Sequence, residues 1–171
     1  MLFGDTNRFG IEFEISPNPV GTWMYGPICY WLCGLQVGDY EQITSLRDAL
    51  YWLEHILWDA GTRVNQNLMR LDTEDLVNML SHSMFGNHPV NEVLESRAIE
   101  EQWARHIIDP EIEIFSGWHI YLVEEGNVGR CVYHNSETDR YYECRLKYGE
   151  FDQVLREAVQ SLQQHYEALV K

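Results

Sequence analysis

Between Trp23 and Asp48 the hydrophobic period of the chain changes from that of a strand to that of a helix, and this switch limits the folds open to it. The run Trp23-Met24-Tyr25-Gly26-Pro27-Ile28-Cys29-Tyr30-Trp31 is aromatic and favours a strand. Gly38-Asp39-Tyr40 marks a turn, and Thr44-Ser45-Leu46-Arg47-Asp48 opens a helix. A weaker version of the same order closes the chain. Tyr148-Gly149-Glu150-Phe151 leads into Leu155-Arg156-Glu157-Ala158-Val159, which matches Leu46-Arg47-Asp48-Ala49-Leu50 in residue type. Two pseudo-repeated strand-then-helix halves around a helical middle segment are therefore expected.

The remaining elements follow from pattern. Phe9, Ile11, Phe13 and Ile15 alternate with Gly10, Glu12 and Glu14, as a strand with one wet face does. Residues 22–33 read as one long strand bent at Gly26-Pro27, and 35–38 as a short one. The first helix is expected over 45–60, with Ser45 and Asp48 at capping-box spacing and Gly61 as its stop. Leu46, Ala49, Leu50, Leu53, Ile56, Leu57 and Ala60 form its core stripe. Tyr51, His55 and Trp58 lie off that stripe; they either pack beneath the middle segment, the arrangement expected here, or stand exposed. Asp72-Thr73 caps a second helix over 73–83. A strand over 103–108 stops at Asp109-Pro110, and 118–123, apolar on both faces, reads as a central strand. Residues 129–134 and 141–147 form a hairpin; if Tyr133 and Tyr142 flank its turn symmetrically, Cys131 and Cys144 lie opposite each other. The last helix, over 151–169, buries Phe151, Val154, Leu155, Ala158, Leu162 and Leu169. The fold class is α+β, mostly antiparallel, with residues 1–171 as a single domain.

A chain of 171 residues with 45% hydrophobic content can build one sizeable core, which excludes a disordered acidic tail. No apolar run is long enough to span a bilayer. Met1-Leu2-Phe3-Gly4-Asp5 has neither the basic start nor the apolar core of a signal peptide, so the expected location is the cytoplasm. The net charge of −15 repels nucleic acid and anionic membrane and attracts a basic protein. The aromatic segment is no platform for single-stranded nucleic acid, because no basic residue lies between Arg8 and Arg47.

Motifs for chemistry are missing from the sequence: no phosphate-binding glycine loop, no nucleophile elbow, no zinc-protease helix motif. Glu12 and Glu14 share a strand face about 7 Å apart, a separation that glycoside chemistry can use. A small cytosolic hydrolase using Glu12/Glu14 is the alternative function; a solvated strand face explains the pair equally simply. No spacing indicates a metal site, and no cofactor is implied. The densest negative stretch is Glu92, Glu95, Glu100, Glu101, Asp109, Glu111 and Glu113, with Arg97 and Arg105 as local counter-charges. In an extended conformation Asp109, Glu111 and Glu113 share one face. This stretch is either a solvated rim or a docking face for a basic protein, whose encounter it would steer. Tyr51 and Trp58 are the candidate aromatic anchors, since Trp and Tyr tend to dominate interface energy.

In the order of its motifs the chain resembles the bacterial immunity protein 42 family. The resemblance rests on Trp23-Met24-Tyr25-Gly26, Ile28-Cys29-Tyr30-Trp31, Gly38-Asp39-Tyr40 and Thr44-Ser45-Leu46-Arg47-Asp48. Phe3-Gly4-Asp5, Arg8-Phe9 and Ile11-Glu12-Phe13-Glu14 fit the family's opening. Gly117-Trp118, Ile120-Tyr121-Leu122-Val123-Glu124 and Gly149-Glu150-Phe151-Asp152 fit its closing half, while 62–102 matches nothing in it. The resemblance implies an immunity protein of a polymorphic toxin system. Such a protein binds and neutralises the C-terminal domain of a cognate toxin encoded beside it, without catalysis. It also implies that many partners are nucleases, whose basic grooves suit an acidic inhibitor. The contact face would then lie in the unmatched middle.

Overall fold

The computed structural model describes residues 1–17, 21–85 and 103–170. The chain is α+β with antiparallel sheets and packs as two compact units, one of residues 1–60, 110–116 and 149–171, the other of 61–109 and 117–148.

The first unit is built on a four-stranded sheet of β1 (Leu2–Gly4), β2 (Phe9–Phe13), β4 (Ile28–Leu32) and β5 (Leu35–Val37), in that spatial order and antiparallel throughout. The long aromatic strand expected over 22–33 is two strands. β3 (Tyr25–Gly26) pairs with β6 (Thr44–Ser45), and after Pro27 the chain changes partner to β2. Two features force the break. Pro27 has no N–H to give to a ladder. At Gly26 a Cβ would sit 1.7 Å from the backbone oxygen of Glu14, so only glycine allows that approach. Cys33 (φ 49°) and Gly34 (φ 86°) then turn β4 into β5, the two positive φ angles that a tight two-residue hairpin favours.

Helix α1 (Leu46–Trp58) starts where the sequence places its cap: the Ser45 hydroxyl accepts from the Asp48 N–H at 3.2 Å. Leu46, Ala49, Leu50, Leu53 and Ile56 are buried. The last helix, α4 (Glu150–Val170; α2 and α3 belong to the second unit), buries Phe151, Val154, Leu155, Ala158, Val159 and Leu162, while Leu169 is only half-buried. It packs on α1, β1 and β2. The two similarly opening helices thus share one unit, whereas the strands just before α4 belong to the other. Arg8 holds the start of α4 by donating from Nε to Glu150 Oε1 at 2.6 Å and from Nη2 to Oε2. At the centre, the ring of Phe9 meets those of Phe151 (4.6 Å between centroids) and Tyr30 (5.5 Å), and Tyr30 meets Phe115 (4.9 Å).

The second unit is an antiparallel meander, β7 (Trp118–Glu125), β8 (Val128–Asn135) and β9 (Arg140–Lys147), with α2 (Gln66–Met69) and α3 (Thr73–Phe85) on one face. Cys131 pairs with Cys144 and Tyr133 with Tyr142, the register inferred from a symmetric turn; Cys131 keeps a free, buried thiol. Two expectations change. The central strand is β8, and β7 lies at an edge of the meander. Residues 103–108 are not a strand: Trp103–His106 form a 3-10 turn, and only Ile107 bridges to Tyr121. His106 Nδ1 donates to the Leu122 oxygen at 2.8 Å and Ile108 N to the Ile120 oxygen at 2.9 Å. These few bonds tether the segment without a ladder, and the edge strand is buried although it is not central.

Arg130 ties α2 and α3 to the meander. Its side chain, 4% exposed, donates to Glu143 Oε2 from Nη2 (2.7 Å) and Nε (3.0 Å), to the Leu71 oxygen (2.6 Å) and to Thr73 Oγ1 (3.1 Å). Burial alone would raise the Glu143 carboxyl. Hydrogen bonds from Arg130 and Thr73, with the charges of Arg130 and Arg145, outweigh it and hold its pKa below the ordinary value.

Phe151→Ala should lower unfolding stability by about 3–5 kcal/mol in denaturant titrations; a loss under about 1 kcal/mol would mean that the aromatic cluster is not the centre of its unit. Because the Glu143 pKa is lower folded than unfolded, its stabilising contribution is complete above roughly 4.3 and is lost as pH falls through the folded value. Melting temperatures measured between neutral and acid pH should therefore fall less steeply for Glu143→Gln than for the wild type.

Candidate functional site

Helix α1 buries one stripe, and at about 100° per residue this turns Arg47, Tyr51, His55 and Trp58 to the opposite side. Tyr51 is 54% exposed and Trp58 75%. The two do not pack away beneath other chain, as the sequence led us to expect; they stand out from the helix. Between them sits His55, its ring centroid 4.0 Å from that of Tyr51 and 4.1 Å from that of Trp58. His55 Nδ1 donates to the Tyr51 backbone oxygen at 2.7 Å, which fixes the ring in place. Trp52 closes edge-on against Tyr51 at 5.6 Å. The rings thus form one ordered ridge along the helix.

Trp23 continues the exposed aromatic surface of this unit. It is 40% exposed and stacks on Tyr25 at 6.2 Å, and the Arg47 guanidinium lies 4.8 Å above its ring. Arg47 is therefore already engaged with an aromatic face. By helical geometry Asp48 and Glu54 flank the ridge, one on each side. Its surroundings are thus anionic.

The acidic candidates separate. Glu111 and Glu113 are exposed and belong to the first unit. Asp109 belongs to the second, where its Oδ1 accepts from the Ile120 N–H at 2.9 Å. The extended face expected for the three carboxylates does not persist, because Glu113 begins a 3-10 turn, Glu113–Phe115, whose apolar residues Ile114 and Phe115 are buried. Glu92, Glu95, Glu100 and Glu101 lie outside the described residues. Glu12 is half-buried and accepts from Trp31 Nε1 at 2.8 Å, while Glu14 is exposed. Burial, with the charges of Glu12, Cys29 and Glu14, pushes the Tyr40 hydroxyl up to about 12. Among the described residues, no group of three or more His, Cys, Asp or Glu side chains is placed to hold a metal ion. No helix among them is long and apolar enough to cross a membrane.

Sequence reasoning picked out Tyr51 and Trp58 as anchors and placed His55 on the same side, but gave His55 no role in joining them. The spacing 47, 51, 55, 58 is itself the signal for a second helix face, legible once the core stripe is assigned. Trp23 belongs to the aromatic strand segment but falls on the outward side of its alternation, opposite buried Met24.

Comparison with known proteins gives a consistent result. The family model described as immunity protein 42 matches residues 1–161, so it also spans 62–102, which the motifs left unmatched, and the middle is not set apart from the family as expected. The crystal structure of CdiI from Burkholderia dolosa AUO158 shares the fold, with a TM-score of 0.74 over 94% of this chain and 99% of that one at 20% identity. No curated protein matches.

Proposed function

Because the chain belongs to the immunity protein 42 family and so neutralises a cognate toxin as a non-enzymatic inhibitor, we propose that it does this in the cytoplasm by laying an acidic, aromatic surface over a basic face of the toxin domain. The observation that carries this reading is a net charge of −15 combined with the outward Tyr51 and Trp58. Charge of that size speeds encounter with a basic protein and opposes wrong partners, while buried aromatics hold the complex together. A nuclease is the partner class whose substrate groove fits best, since such a groove must be basic to bind phosphates.

Exposed Glu111 and Glu113 are the proposed steering charges of the first unit. Glu92, Glu95, Glu100 and Glu101 enter the contact set on sequence grounds. Asp109, with one oxygen given to Ile120, contributes charge more than contact. Hydrolysis by Glu12 and Glu14 is not part of this reading, and Trp31 gives Glu12 a structural role.

Cells producing the toxin domain should survive when this chain is co-expressed, and the two should co-purify. Reversal of Glu111 and Glu113 to Lys should slow association about tenfold at low salt, with dissociation little changed and circular dichroism unaltered. An unchanged association rate would remove these two carboxylates from the encounter surface.

A further inference from the structure

Resting on the toxin-binding reading above, we propose that the α1 ridge is the energetic centre of the contact and that its occupant is an arginine side chain of the toxin domain, stacked on Trp58 and paired with Glu54. Four features of the first unit point to this occupant.

First, the surface is aromatic rather than merely apolar. The rings of Tyr51, His55 and Trp58 follow one another at about 4 Å between centroids, and the outermost, Trp58, leaves three-quarters of its surface to solvent. An aromatic face attracts a cation through its quadrupole, and Trp does so best. Second, Glu54 lies one helical turn before Trp58 on the same helix, within reach of a guanidinium stacked on that ring. A guanidinium is planar: it stacks on a ring while its edge donates two parallel hydrogen bonds to a carboxylate. A lysine ammonium cannot do both. Third, the chain already shows the stacking half of this arrangement at one end of the helix, where Arg47 lies 4.8 Å above Trp23. Fourth, the ridge is ordered before any partner arrives. The His55 bond to the Tyr51 oxygen and the edge-on contact of Trp52 hold the rings, so little rotamer freedom is lost on binding.

A second copy of the chain is disfavoured as occupant by the same charge that favours the toxin. Two molecules at −15 each repel, and bringing two anionic ridges together would place like charges face to face.

The test uses the full chain and its cognate toxin domain, with binding followed by biolayer interferometry and oligomeric state by sedimentation. Trp58→Leu keeps apolar area and removes the π face; Trp58→Phe keeps a π face. Being exposed, both should leave thermal melting unchanged. Trp58→Leu should weaken binding at least about tenfold, chiefly through faster dissociation, and Trp58→Phe by clearly less. Glu54→Gln should also weaken binding, and the loss should shrink in the Trp58→Leu background, because both act on one guanidinium. If wild type binds and protects but Trp58→Leu binds as tightly, the ridge is not the contact, while the toxin-binding reading stands. If Trp58→Leu and Trp58→Phe lose affinity equally, the occupant is apolar and the arginine assignment is wrong. If the variants change self-association and not toxin binding, the ridge is a dimer surface. If wild type itself neither binds nor protects, the underlying reading fails first.

Discussion

The packing of one face of α1 is the constraint from which the presented surface follows. Leu46, Ala49, Leu50, Leu53 and Ile56 are buried, and a rigid helix with that stripe inward has no choice about the opposite side. Ser45 fixes the start of the helix, and thereby its phase, by capping the Asp48 N–H. Pro27 and Gly26 act one step earlier, by breaking the aromatic segment so that β3 can pair with β6 directly before the helix. The ridge of Tyr51, His55 and Trp58 is thus positioned by buried core residues on the opposite side of the helix.

Each unit has its own means of holding helices to strands. In the first, aromatic contacts among Phe9, Tyr30, Phe115 and Phe151 join the sheet to α4 and to the 110–116 segment. In the second, a buried arginine does comparable work: Arg130 reaches the Leu71 oxygen, Thr73 and Glu143 at once. The first solution depends on apolar area and is indifferent to pH. The second depends on an ionised carboxylate and is therefore sensitive to acid.

Much of this was legible in the sequence, for identifiable reasons. Helices α1, α3 and α4 announce themselves through apolar spacing and through Ser45 and Asp72, whose side chains accept from Asp48 and Asp75. The hairpin register followed from placing Tyr133 opposite Tyr142. What failed was tertiary. Residues 103–108 carry strand-like apolar residues but spend them on a 3-10 turn and single tethers, and β7 is buried on both faces without being central. Neither outcome can be read from periodicity, which reports burial and not the neighbour that causes it. At the candidate site, residue identity was legible and exposure was not. Tyr51 and Trp58 lie off the core stripe in the sequence, but spacing does not say whether other chain covers that second face. Their connection through His55 depends on rotamers that no spacing rule supplies.

The central claim is that neutralisation works through contact on the exposed α1 face. Oxidative footprinting of tryptophan in the free chain and in its toxin complex tests it most directly. Trp58 should be highly reactive alone and strongly protected in the complex, whereas Trp31, half-buried and bonded to Glu12, should change little. A fully neutralised toxin in complex with a chain whose Trp58 stays as reactive as before would contradict the account.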